Sequence, residues 1–401
     1  MPRALTSAGV WSSVALTLVI QSLVSLVVFA PPVLAPAAQV DIGVPAASVG
    51  VATALIYTGA VFSALLSSTL IARFGPLRVS QFALAVCATG IALIAAGRPL
   101  LVALGALVIG IGYGPVTPSS SAILAERVPP RLRALIFSIK QTGVPIGGAL
   151  AGALIPVLIV ELGWRVAAVL VAVLCLILVL VVHPWRRAVD GSDMAGYKAI
   201  KPSLIAPLRL VLAHPGLREM ALASFAFSGM QMCLGSFLVV YLHERAGFSV
   251  AAAGAALSAA MLAGVAGRVF WGIVADNWVG PRRLLGLLGT AMSLAAFLIA
   301  TVDSTWPIGL VLFLSVVYGA TAVGWNGVYL SEVARIAPGG QAAAATGGSV
   351  AMTYCGVVAL PLLFWFIVSM TGSYAASFIA VGALTLWRAS FFLLSPVRPA
   401  L

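Results

Sequence analysis

Three basic side chains interrupt otherwise apolar stretches of this sequence: Lys140, Arg268 and, near the end of the last stretch beside Trp387, Arg388, which reads as an interfacial anchor. An ionisable group in such a place is costly to bury and marks a functional site by default. Lys140 lies seven residues past Arg133, and Arg268 lies eight before Asp276. Each is therefore roughly 10–12 Å inward along a helix that rises about 1.5 Å per residue. The ten acidic residues all map to the ends of apolar stretches. Asp41, Glu161, Glu244 and Asp303 fall on one side, and Glu126, Asp190, Asp193, Glu219, Asp276 and Glu332 on the other. Two embedded cations without a deep carboxylate repel one another, and an anionic ligand is the simplest counter-charge. Arg268 offers a planar fork that matches a carboxylate bidentately, and Lys140 a second point charge. Gln21, Gln231 and Asn326, uncharged and mid-stretch, add donors and acceptors. Tyr113, Trp325 and Tyr329 are candidates to shape the pocket, although such side chains also serve helix packing.

The elements that must carry these groups follow from composition. Of 401 residues, 62% are apolar and 8% charged, against about 25% charged in soluble domains. A soluble chain could not hide that much apolar surface. Glycines and prolines spread through apolar stretches suit membrane helices, where neighbours re-satisfy a broken backbone. Soluble enzyme, disordered tail and disulfide scaffold are excluded.

Twelve apolar segments reach the length of ~20 residues that crosses a bilayer. They lie near 10–35, 47–71, 79–97, 100–125, 134–160, 164–182, 217–242, 249–275, 284–302, 306–331, 342–369 and 374–394. The first is too long for the apolar core of a signal peptide. Cys87, Cys175, Cys233 and Cys355 stand singly, so neither a disulfide nor a bound metal is expected, and no cofactor.

With the N-terminus inside, sixteen Lys and Arg fall on the cytoplasmic side, while Arg98, Arg165 and Arg245 fall opposite. That bias puts both termini in the cytoplasm of an inner-membrane protein. It also accounts for the net charge of +12 without a nucleic-acid partner. The polar stretch from His183 to Arg218 reads as a cytoplasmic linker, its amphipathic piece Ser203 to Ala213 lying at the lipid interface. The expected fold is all-α and monomeric: six-helix bundles at 1–182 and 217–401, joined by 183–216.

The halves repeat. Arg73, Gly75, Pro76 and Arg78 follow the second span, and Gly280, Pro281, Arg282 and Arg283 follow the eighth. Glu126 closes the fourth span and Glu332 the tenth, while Gln21 and Gln231 occupy the first and seventh. Six-helix repeats are a transporter signature, with the substrate held near midplane.

The run Gly272-Ile-Val-Ala-Asp276-Asn-Trp-Val-Gly280-Pro-Arg282-Arg283 resembles the loop motif of the major facilitator superfamily, with one extra residue between the acid and the second glycine. In the first half Ser68 and Ala72 stand where that motif has glycine and acid. The resemblance implies alternating access, a cavity lined by spans 1, 4, 7 and 10, and spans 5 and 8 packed where the halves meet. Arg268 is placed like the eighth-span arginine of the monocarboxylate and oxalate carriers, which binds substrate carboxylate, but no lysine stands in the eleventh span.

Glycine lets helix ends approach, and basic side chains pair with acids at neighbouring ends. Arg73 with Glu126, and Arg282 or Arg283 with Glu332, are therefore the expected gate pairs, supported by Gly75, Arg78, Gly272, Asp276 and Gly280. The expected function is secondary transport of a small organic anion, a carboxylate first of all, with a proton or counter-substrate as coupling partner. The alternative on the same fold is a proton-coupled exporter of amphipathic compounds. An enzyme would need a catalytic cluster, and His183, His214 and His243 sit singly at span ends. No helical or P-loop ATPase motif occurs, so gradients or a partner protein must drive the process.

Overall fold

The computed structural model describes residues 7–43, 49–190 and 203–394, and among these the chain is helical throughout. Twelve helices are long and apolar enough to span a membrane. Spans 1 to 6 are Gly9–Ile42, Val51–Phe74, Pro76–Ala95, Pro99–Arg127, Pro130–Leu162 and Trp164–Asp190. Spans 7 to 12 are Pro215–Glu244, Ala252–Val279, Pro281–Ile299, Ile308–Ile336, Ala342–Thr371 and Tyr374–Leu394. Large apolar side chains such as Val160, Leu180, Leu262 and Trp365 are well exposed. Water would penalise such a surface, whereas lipid hydrocarbon solvates it. The all-α, twelve-span architecture read from the sequence is the one observed.

Contacts group the chain into two compact units. One comprises Met1–Val128, Lys140–Ala213 and Ala337–Ala351; the other comprises Pro129–Ile139, His214–Ile336 and Met352–Leu401. The start of span 5 thus belongs with the second unit, and the start of span 11 with the first. Residues 191–202 of the linker lie outside the described residues, as do Arg3 and Arg398. The amphipathic piece forms a helix, Ile205–Ala213. Its Pro207 and Val211 pack on Gly348 of span 11.

The internal repeat is visible in packing. A side chain at Gly110 of span 4 would strike the Ile56 carbonyl of span 2, and one at Gly319 of span 10 would strike the Ala260 carbonyl of span 8. Likewise Gly147 seats span 5 on Ser22 of span 1, and Gly356 seats span 11 on Phe225 of span 7. Both equivalences have one spacing, so the same small-residue contacts hold both units together.

Spans 4, 5 and 10 are interrupted along their length. Span 4 is helical over Pro99–Tyr113 and Val116–Arg127, and span 5 over Arg133–Gln141 and Gly143–Leu162. Pro115 and Pro145 lack the N–H that would continue each ladder. Span 10 breaks between Ile308–Ala322 and Asn326–Ile336 without a proline. Here Gly324 passes under the Trp271 indole, where a side chain would collide, and the indole donates to the Ala320 carbonyl at 2.8 Å. The breaks of spans 4 and 10 stand at matching places in the two halves.

Candidate functional site

Each unit gathers an amide, a residue just past a helix break and a buried cation. In the first unit Lys140, 1% exposed, donates to Gln21 Oε1 at 2.8 Å and to Gln141 Oε1 at 2.9 Å. Thr117, two residues beyond Pro115, donates to the same Gln21 oxygen at 3.4 Å. Gln21 in turn donates to Ser25 at 3.2 Å. These partners of the ammonium are neutral dipoles, which orient it without cancelling its charge.

In the second unit Arg268 is 2% exposed, and its Nε donates to the Val323 carbonyl at 3.1 Å. That carbonyl lies in the break of span 10 and also accepts from Asn326 Nδ2 at 3.4 Å. Asn326 Nδ2 donates to Gln231 Oε1 at 3.2 Å as well. One backbone oxygen therefore fixes the guanidinium and the amide side by side.

The three aromatic candidates are buried. Trp325 is wholly buried, with ring contacts to Phe227 at 5.5 Å and Tyr329 at 5.2 Å. The Tyr329 hydroxyl donates to Ser224 at 3.1 Å, and Thr353 donates to the same oxygen at 3.0 Å. Tyr113 packs edge-on to Tyr57 at 6.4 Å. Reading the sequence alone missed Thr117, Gln141, Ser224, Thr353 and the Val323 carbonyl. The repeat holds the signal for one of them: Thr117 is to Gln21 as Asn326 is to Gln231, each just past a break.

The gate residues differ from expectation in their pairing. Arg282 pairs with Glu219 at 2.7 Å, and Glu332 with Arg335 at 2.6 Å, so neither Arg282 nor Arg283 holds Glu332. Glu332 and Arg335 face each other three residues apart on one helix, whereas the start of span 9 faces the start of span 7. Arg73 and Glu126 are both exposed and form no ion pair among the described residues. An exposed pair gains little in water, and Arg73 instead lies over the Phe74 ring at 5.2 Å.

Asp276 has a different partner from any expected. Its two oxygens accept from the backbone N–H groups of Ala134 and Leu135, at 3.0 and 2.7 Å, in the first turn of span 5. A carboxylate there meets both unpaired donors and the positive end of the helix dipole. Gly272 permits the approach, since a side chain would collide with Leu135 and Ser138. The extra residue in the loop is absorbed as a π turn, Ala275–Val279, closed by Gly280 N–H to the Ala275 carbonyl at 3.1 Å. Such a bulge is how one inserted residue enters a helix without destroying it.

In the first half, where Ala72 replaces the acid, another carboxylate docks on the loop. Asp190 accepts from the N–H groups of Leu77 and Arg78 at 2.8 and 3.1 Å, capping span 3. Gly75, at φ 86°, leaves room, because a side chain would strike the Asp190 carboxyl. Arg127 steadies the same segment by donating to the Ala188 and Val189 carbonyls at 3.1 and 3.2 Å. Asp190→Ala should therefore free the helical turn 186–190 and cost about 0.5–2 kcal/mol, the usual value of a cap. A lower melting temperature with faster proteolysis after Arg186 or Arg187 is expected, and unchanged cleavage would remove the docking role.

Both the sequence and the fold match known proteins. Residues 17–361 match the family model described as Major Facilitator Superfamily. The chain is similar to the hexuronate transporter of Bacillus subtilis (strain 168), 22% identical over 311 residues, 73% of this chain and 72% of that one. It is 28% identical over 350 residues to the 3-(3-hydroxy-phenyl)propionate transporter of Escherichia coli (strain K12), covering 83% and 81%. The fold matches the crystal structure of the E. coli fucose:proton symporter with a TM-score of 0.74 at 16% identity, over 94% of this chain and 98% of that chain.

Proposed function

The chain belongs to the major facilitator superfamily, and from that premise we propose that it carries a small organic carboxylate across the membrane by alternating access. It is a multi-pass membrane transporter and not an enzyme. The observation that carries the substrate class is Arg268, buried in span 8 with its fork aimed by the broken backbone of span 10. Guanidinium is the side chain best matched to a carboxylate. The two relatives named above support the same reading, since both move organic acids.

In this reading Arg268 takes the carboxylate, and Asn326 and Gln231 take its neighbouring polar groups. Lys140 supplies the second positive charge, presented by Gln21 and Gln141. Tyr329, Trp325 and Tyr113 support these side chains from behind. Asp276 of span 8, docked on span 5, and Asp190 of span 6, docked on span 3, act as the latches that the cycle makes and breaks. The excess of basic residues on the linker side supports cytoplasmic termini.

The test uses purified protein in liposomes and a panel of organic acids with their methyl esters. Acids should raise the melting temperature and enter the vesicles, while esters should do neither. For Lys140→Ala, roughly a tenfold loss of acid affinity is expected for a lost charge contact worth about 1.4 kcal/mol. Equal response to acid and ester would overturn the anion assignment.

A further inference from the structure

A third embedded cation stands apart from the transport site. Arg388 on span 12 is 8% exposed, and its guanidinium carbon lies over the rings of Phe391 at 4.6 Å and Trp387 at 5.0 Å. Its Nε is buried without a hydrogen-bond partner, and it makes no ion pair among the described residues. Its strongest charged neighbours are Glu219 and Arg218 at the start of span 7. Glu219 is already engaged by Arg282. Arg282 itself retains a buried Nε without a partner and sits over Phe392 at 5.4 Å. Arg388 thus lies within the electrostatic reach of Glu219 and of its chain neighbour Arg218, while the Glu219 carboxylate is paired with Arg282.

The rings offset part of the charge through their negative faces, but they cannot accept the hydrogen bonds that a desolvated guanidinium needs. An anion with several oxygens would. Beside the exposed Arg218 and Arg283, the cluster has a rim of exposed apolar side chains on span 12: Trp387 at 57%, Leu393 at 41% and Leu394 at 81%. A soluble anion has no use for that rim, whereas a lipid does, with its chains along the leucines and its headgroup at the level of the tryptophan.

We propose that Arg388, Arg282 and Arg218 form a binding site for the phosphate of an anionic phospholipid at the linker end of spans 7, 9 and 12. Planar forks match phosphate oxygens, and basic pockets between helices on this side of a membrane bind such headgroups. The site lies outside the substrate residues, so occupancy should alter stability without changing which acid binds.

The experiment compares full-length protein in nanodiscs of phosphatidylcholine with and without phosphatidylglycerol, using thermal shift together with native mass spectrometry of retained lipid. Phosphatidylglycerol should stabilise the parent and remain bound. Arg388→Met should weaken that binding at least tenfold, while its acid affinity in detergent stays within twofold of the parent's. Arg218→Ala, an exposed change that leaves the core intact, should weaken it severalfold and flatten its salt dependence. Inorganic phosphate at millimolar concentration should not reproduce the stabilisation. If phosphate does reproduce it, the site is one for free anions and the lipid proposal fails. It also fails if Arg388→Met keeps the parent's lipid affinity. Should Arg388→Met not fold, undiminished lipid binding by Arg218→Ala overturns the proposal by itself.

Discussion

Arg268→Ala is expected to abolish measurable acid binding while the protein still folds, and Arg268→Lys should be nearly as damaging. A lysine places one charge where the guanidinium places a fork, and it cannot donate to the Val323 carbonyl and to a carboxylate in the same geometry. Loss of a desolvated charge-assisted contact costs about 2–5 kcal/mol. The dissociation constant should therefore rise roughly thirty- to several-thousand-fold. Isothermal titration of an acid and its ester separates this from a structural role. If Arg268 only braced the break in span 10, the variants would melt lower, yet bind the acid with parental affinity when folded. Asn326→Ala should lie between these extremes, since it shares that carbonyl but contributes no charge.

The second large effect is expected at Asp276. Its carboxylate satisfies two N–H groups at the start of span 5, and hydrogen bonds to a charged partner contribute about 1.5–3 kcal/mol each. Asp276→Ala should therefore release that helix end. The readout is thiol labelling of Ala134→Cys, a fully buried position, after the four native cysteines are replaced. Labelling should accelerate at least tenfold in Asp276→Ala and by less in Asp276→Asn, which retains one acceptor. Transport should slow in both, because a cycle that makes and breaks this contact has lost one of its resting states. Identical labelling rates in the parent and Asp276→Ala would show that the contact does not hold span 5.

Much of this molecule is legible in the order of its residues. Apolar runs of bilayer length fix twelve helices because hydrocarbon leaves the backbone no partner but itself. The repeat of Gln21 at Gln231 and of Glu126 at Glu332 marks two related halves, and the embedded Lys140 and Arg268 mark the chemistry. Each of these signals is local, since cost and periodicity can be read one segment at a time.

Pairing is not local. Arg282 chooses Glu219, and Glu332 chooses Arg335, because helix ends far apart in sequence meet in space. Asp276 seeks two backbone N–H groups rather than a basic side chain, and backbone donors carry no sequence signature. The inserted loop residue becomes a π turn, which keeps Asp276 within reach of span 5. The acid missing at Ala72 is answered from the far end of span 6 by Asp190. Residue types and hydropathy determined the helices, the repeat and the positive charge buried among them. Tertiary structure alone decided which oxygen each donor meets, because a partner is set by three-dimensional distance and orientation, which the linear order does not contain.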